Sequence, residues 1–218
     1  NHFRNSTYPE NIPVIMACLG IWYNNFFEYQ THAIIPYSEN LKSFGKYLQQ
    51  ASMESNGKHT DRSGDLIEYQ SGEIIWGQTG TNAQHSFFQL FHQGTKIIPS
   101  DFIGFCESIM GNKNHHDILM SNFFAQTKAL MLGTRGENID SNHRVFKGNR
   151  PTNTILIDKL TPSSLGSLIS MYEHKIFTQG VIWNVISFDQ FGVELGKKIA
   201  KNILKDLEDR DFSDHDSS

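Results

Sequence analysis

Cysteine is scarce in this 218-residue chain: Cys18 and Cys106 are the only two. Two such distant cysteines make no disulfide framework, and a reducing, cytoplasmic setting is expected. No run of Lys or Arg stands out, which argues against a nucleic-acid surface and a nucleic-acid partner. Long apolar runs are missing too. The longest, Ile12 to Tyr23, is too short and too mixed to span a bilayer, so no membrane partner is expected. The opening residues carry no basic-then-apolar export pattern. A Gly-Lys-Ser/Thr phosphate loop is absent. His115-His116 and the cysteines lack metal-ligand spacing, so no metal site is expected.

What is present points to a packed domain. Hydrophobic residues make up 38% of the chain, charged residues only 19%, and Phe alone occurs 16 times. That composition supports one sizeable core. The net charge of −4 is uneven. From residue 206 onward, six acidic side chains stand against Arg210, so the rest of the chain is close to neutral. The acidic tail reads as solvated and frayed. Asn1-His2-Phe3-Arg4 lacks an initiator Met and reads like the middle of a longer chain, so a fragment or processed piece is expected.

Apolar periodicity predicts helices over 13–28, 40–53, 83–92, 116–132 and 188–207, with another opened by Thr161-Pro162. Cys18 falls in the first of these and is expected to be a core thiol. Strands are predicted at Ala33–Tyr37, Glu73–Gly77, Lys96–Phe102 and Thr154–Lys159. Residues 58–71 read as a polar, hairpin-like excursion, and 104–115 and 133–150 as loops. Short apolar strands alternating with longer helices imply an α/β fold: a three-layer parallel sheet flanked by helices. Ligands of such sheets bind at the carboxyl ends of the strands. That places the Gly77–Asn82 turn and the residues after Tyr37 near any site.

Three sets of residues could carry chemistry. Glu54 ends an apolar helix, where partial desolvation suits a general base. The plainer reading is a solvated helix-terminal Glu. His85 lies just inside the helix after Gly80-Thr81-Asn82, and a helix start offers free N–H donors. The plainer reading is an ordinary surface His. Gln190 and Lys197 are seven residues apart, two helical turns, so one helix face would present both. A solvated helix face explains them equally well. Tyr172 and the Phe clusters read as core.

Several long segments nevertheless stand in an order that resembles the glucose-6-phosphate isomerase family over nearly the whole chain. They are Gln49–Lys58 (QQASMESNGK), Gly80–Thr95 (GTNAQHSFFQLFHQGT), Gly148–Thr154 (GNRPTNT) and Ser187–Lys197 (SFDQFGVELGK). Leu19–Tyr23 (LGIWY) and Met171–Phe177 (MYEHKIF) fit as well. Gln78-Thr79 and Phe191 depart from the family, which usually has Glu-Pro and Trp there. The resemblance implies a second sugar isomerase (SIS) domain over 1–186. It also implies a C-terminal helix over 187–207 carrying active-site residues, and an acidic, disordered tail over 208–218. Glu54 would be the general base, shuttling a proton between C2 and C1 of an open-chain hexose 6-phosphate through a cis-enediol. His85 and Lys197 would assist ring opening, and Gln50 and Gln190 would position the substrate. No organic cofactor or metal is implied. The working form would be a homodimer in which His85 reaches the neighbouring subunit's site. The family's enediol-facing arginine and phosphate loop lie outside these residues, so the 218-residue piece alone is expected to be inactive. A binding-only sugar-phosphate module would not need Glu54, His85 and Lys197 together. Nothing in the residues supports or excludes a secreted signalling role.

Overall fold

The computed structural model describes residues 1–134 and 141–209. It divides into two units, Asn1–Ser187 and a second beginning at Phe188. The first is built on strands β1 (Thr31–Pro36), β2 (Ile74–Gly77), β3 (Ser100–Glu107) and β4 (Thr152–Lys159). All pair in parallel, in the order β2-β1-β3-β4.

Period-two alternation sends neighbouring residues to opposite faces, and both faces are covered. Ile34, Ile75 and Ile103 pack with Met16, Phe44, Leu48, Leu168 and Tyr172. Those come from α2 (Ile12–Ile21), α3 (Phe44–Leu48) and α7 (Pro162–Ile182), with the short α1 (His2–Asn5) preceding them. Ile35 and Phe102 face the other way, onto Ala83, Phe88, Phe91, Phe123 and Leu130. Those belong to α4 (Gly80–Gln84), α5 (Phe88–Gln93) and α6 (Lys113–Leu132). The architecture is the three-layer parallel α/β fold expected. The second unit holds α8 (Glu194–Asp209).

Several boundaries differ from the sequence reading. The third strand runs to Glu107, through what reads as the start of a loop. Its pairing with β4 continues from Ser100↔Thr152 to Glu107↔Lys159. Gly104, at the start of the expected loop, is a close-packing position: a Cβ there would lie 2.9 Å from the Phe123 ring of α6. The following helix starts at Lys113 because Asn112 caps it, accepting from the His115 amide at 3.1 Å. The helix expected over 83–92 is broken into α4 and α5. Cys18, expected in the core, is exposed. The helix around it is apolar on all sides, so periodicity alone does not select the face that packs. Tyr172 is core, as expected. Residues 208 and 209 of the expected tail belong to α8, and the rest of it lies outside the described residues.

At the amino edge of the sheet a charged network is fully buried. Lys175 Nζ sits 3.1 Å from Glu73 Oε2, and Gln179 Nε2 donates to Glu73 Oε1 at 2.7 Å. His32 lies between two acids, 2.9 Å from Asp101 Oδ1 and 3.8 Å from Glu73 Oε2. Tyr172 Oη and Asn153 Nδ2 also donate to Asp101, at 2.8 and 2.7 Å. Burial by itself would raise both acids. For Glu73 this is outweighed by Lys175 and then His32, and its carboxyl is held below the usual range. For Asp101 the opposing order is His32 and then Lys175, and the carboxyl is held well below it. Burial, reinforced by the Asp101 charge, pushes the Tyr172 phenol well up, so it remains a donor. The segment MYEHKIF thus supplies Tyr172 and Lys175, and GNRPTNT supplies Asn153, to a structural network.

Because both acids are depressed in the folded state, the unfolded chain binds protons first as pH falls. Their stabilisation is complete above the unfolded carboxylate values, near pH 4, and is lost progressively below them. Urea midpoints should therefore show no loss from these groups down to about pH 5 and a steep fall below about pH 4. Asp101→Asn should flatten that acid limb. An identical limb in wild type and variant would remove Asp101 from the cause.

Candidate functional site

Glu54 closes a π-helical turn, Gln49–Glu54, that continues α3. Such turns are rare, widen the helix and often mark functional sites. Here the turn follows a 3₁₀ segment at Glu39–Leu41 and α3, so one expected helix is really three geometries in series. Glu54 is half-buried and Gln50 exposed. Lys58 Nζ closes the end of the turn, bonding the carbonyls of Glu54 (2.7 Å) and Ser55 (2.9 Å). Beyond it, the polar excursion over 58–71 carries an antiparallel bridge between Thr60 and Leu66, as a hairpin does.

Past β2, the Gly77–Asn82 turn and Tyr37 meet at the carboxyl edge of the sheet. A Cβ on Gly80 would collide with the Tyr37 ring. Tyr37 Oη accepts from Gln84 Nε2 at 3.0 Å. Burial pushes the Tyr37 phenol up to about 12 despite that bond. His85 is exposed, but it does not sit at a helix start. It caps the carboxyl end of the five-residue α4, because the helix begins at Gly80 rather than 83. The N–H donors expected around its ring therefore face the other way along α4.

The elements that lead to Glu54 and His85 pack on different faces of the sheet. The π-turn continues α3 on the face built around Ile34, whereas α4 packs on the face built around Ile35. Just after Glu54, Gly57 lies against Gly72, at the entry to β2. His85 follows the exit from β2. The π-turn and α4 thus cover opposite faces of the sheet. In the second unit, Gln190 precedes a 3₁₀ turn at Phe191–Val193 and α8 starts only at Glu194. Gln190 is therefore not on the helix that carries Lys197, and the two-turn spacing does not place both on one face. Both are exposed.

Two features carry more than the sequence suggested. Asn56, two residues past Glu54, is completely buried, with its amide donating to the Ile176 carbonyl at 2.9 Å. The π-turn itself has no signature in residue periodicity. Neither is legible from spacing, although both lie inside the QQASMESNGK segment.

Comparison with known proteins gives this arrangement its family. A family model described as phosphoglucose isomerase matches residues 1–218. A protein named glucose-6-phosphate isomerase from Gloeobacter violaceus is 56% identical over 227 residues, covering all of this chain and 41% of the relative. One of the same name from Christiangramia forsetii is 53% identical over 234 residues, covering all of this chain and 43% of the relative. The crystal structure of a glucose-6-phosphate isomerase from Chlamydia trachomatis superposes with a TM-score of 0.87 at 42% identity, over 95% of this chain and 41% of that one. A hypothetical protein from Thermus thermophilus shares the fold, with a TM-score of 0.68 at 22% identity over 92% of this chain and 46% of that one. The chain spans about two fifths of the length of the curated relatives it matches. With a match from first residue to last and more than half its residues shared with such relatives, the chain belongs to the phosphoglucose isomerase family.

Proposed function

We propose that this chain supplies the base and two assisting residues of an aldose–ketose isomerase that interconverts glucose 6-phosphate and fructose 6-phosphate, a step of glycolysis and gluconeogenesis, in the cytoplasm. The observation that carries the reading is the identity of 52–56% to relatives named for that activity. Residues 1–186 act as the second sugar isomerase domain, and 187–207 as a C-terminal segment bearing site residues.

The chemistry suits the side chains. The Glu54 carboxylate takes the proton from C2 of the open-chain aldose. The C2–H electron pair becomes the C1=C2 bond of a cis-enediol, and the former carbonyl oxygen O1 gains a proton. Return of Glu54's proton to C1, with loss of the O2 proton, leaves the ketose. The carboxylate is regenerated, and no metal or organic cofactor enters the balance. His85 and Lys197 serve ring opening, and Gln50 and Gln190 hold the substrate.

Packing of the Glu54 turn and of α4 on opposite faces of the sheet supports a site shared by two subunits of a homodimer, each lending His85 to the other. Subunit mixing tests this. Glu54→Gln and His85→Ala homodimers should each be nearly inactive. In a mixed dimer, Glu54 from one variant meets His85 from the other, so one of two sites is whole. Statistical mixing at full natural length should then recover about a quarter of wild-type activity. Mixed dimers seen by native mass spectrometry with no recovery would exclude a shared site.

A further inference from the structure

We infer that Asn56 is a positioning residue for the reaction proposed above, tying the Glu54 turn to the point where the segment bearing Gln190 and Lys197 departs. Its side chain is 0% exposed and spends both ends on specific partners. The Nδ2 group donates to the Ile176 carbonyl of α7 at 2.9 Å. The Oδ1 atom accepts from Ser187 Oγ at 2.6 Å. Ser187 is the last residue of the first unit, and the next residue opens the unit that holds Gln190 and Lys197.

The surroundings leave this linkage little freedom. A Cβ on Gly180 would strike Ser187 Oγ and lie 2.9 Å from Asn56 Oδ1, so α7 is a glycine here to let the pair approach. The chain leading to Ser187 is held independently. Val185 N donates to the Gly180 carbonyl at 3.0 Å, and the Val185 carbonyl accepts from Arg62 Nε at 3.3 Å. Tyr69 Oη donates to the Trp183 carbonyl at 2.5 Å. On the other side, Asn56 is two residues from Glu54, directly past the π-turn that orients the carboxylate. One buried amide therefore links the end of the base's turn to the root of the C-terminal segment. Removing it frees both while leaving the substrate-contacting groups chemically intact. That is the behaviour of a residue acting through others, since small misplacements of reacting groups cost large factors in rate.

The test uses the protein at its full natural length with fructose 6-phosphate, and rests on the isomerase reading. Asn56→Ala should lower kcat about tenfold or more, with KM within about twofold, because binding groups remain while alignment is lost. Ser187→Ala, a milder change that keeps the fold, should lower kcat in the same sense. The double variant should be no worse than Asn56→Ala alone, since both substitutions cut one linkage. Unchanged kcat in Ser187→Ala, or multiplicative losses in the double variant, would overturn the inference. So would a fall in KM-dependent binding alone. Glu54→Gln run alongside separates the two ideas. If that variant is dead while the Asn56 and Ser187 variants are normal, only the positioning role fails. If it is fully active, the assignment of Glu54 fails and the inference with it.

Discussion

Glu54→Gln is expected to lower turnover by about 10²- to 10⁴-fold, the usual worth of a positioned general base. Gln keeps the shape of the side chain and its capacity to accept a hydrogen bond. It cannot take a proton from carbon. KM for fructose 6-phosphate should therefore change little while kcat collapses, the pattern of an interaction made only in the transition state. Loss of C2-proton exchange with solvent, followed by NMR on bound sugar phosphate, should parallel the loss in kcat. Ring opening is a separate step assigned to His85 and Lys197, so it should continue in this variant. A kcat within a few-fold of wild type would remove Glu54 from the role of base and leave the π-turn without a chemical purpose.

The second large effect is on stability. Lys175→Met should destabilise the first unit by about 3–5 kcal/mol, as expected when one partner of a buried ion pair is removed. Lys175 and Glu73 are both almost fully buried and 3.1 Å apart. Without the ammonium, Glu73 keeps the Gln179 amide and a more distant His32, but it faces Asp101 with less cationic charge nearby. Glu73→Gln on the Lys175→Met background removes the orphaned charge and should restore much of the loss. Urea unfolding of the four proteins closes the cycle. A double variant as unstable as the sum of its singles would mean that the two groups do not compensate each other.

The contrast between these two residues shows what was readable. Glu54 is legible because a carboxylate at the polar end of an apolar helix has a local signature, and because QQASMESNGK resembles a family segment. Lys175 is not, because its partners Glu73 and Asp101 lie 102 and 74 positions away in the chain. No periodicity encodes such a meeting. His85 stands out in the sequence, but its position at the carboxyl end of α4 does not. The strong helix pattern over 83–92 hides a break after Gln84, where the chain must start its helix early to seat Gly80 on Tyr37. Gln190 and Lys197 share a spacing that suggests one face, yet a 3₁₀ turn lies between them. Asn56 carries no signal at all in isolation, since polar residues near a helix end are ordinary.

The sequence by itself determined the class of the fold. Apolar strands of four to eight residues alternating with longer amphipathic helices admit few arrangements other than a covered parallel sheet. Its ordered segments also determined the family, because several long matches in the right sequence are improbable by chance. Tertiary structure alone decided which face each helix buries, where helices break or change geometry, and which charges meet at the amino edge of the sheet. It also decided that the Glu54 turn and the helix leading to His85 cover opposite faces of the sheet. The physical reason is range: backbone preference and side-chain periodicity act over a few residues. Burial, ion pairing and close packing depend on distances that exist only once remote segments have been brought together.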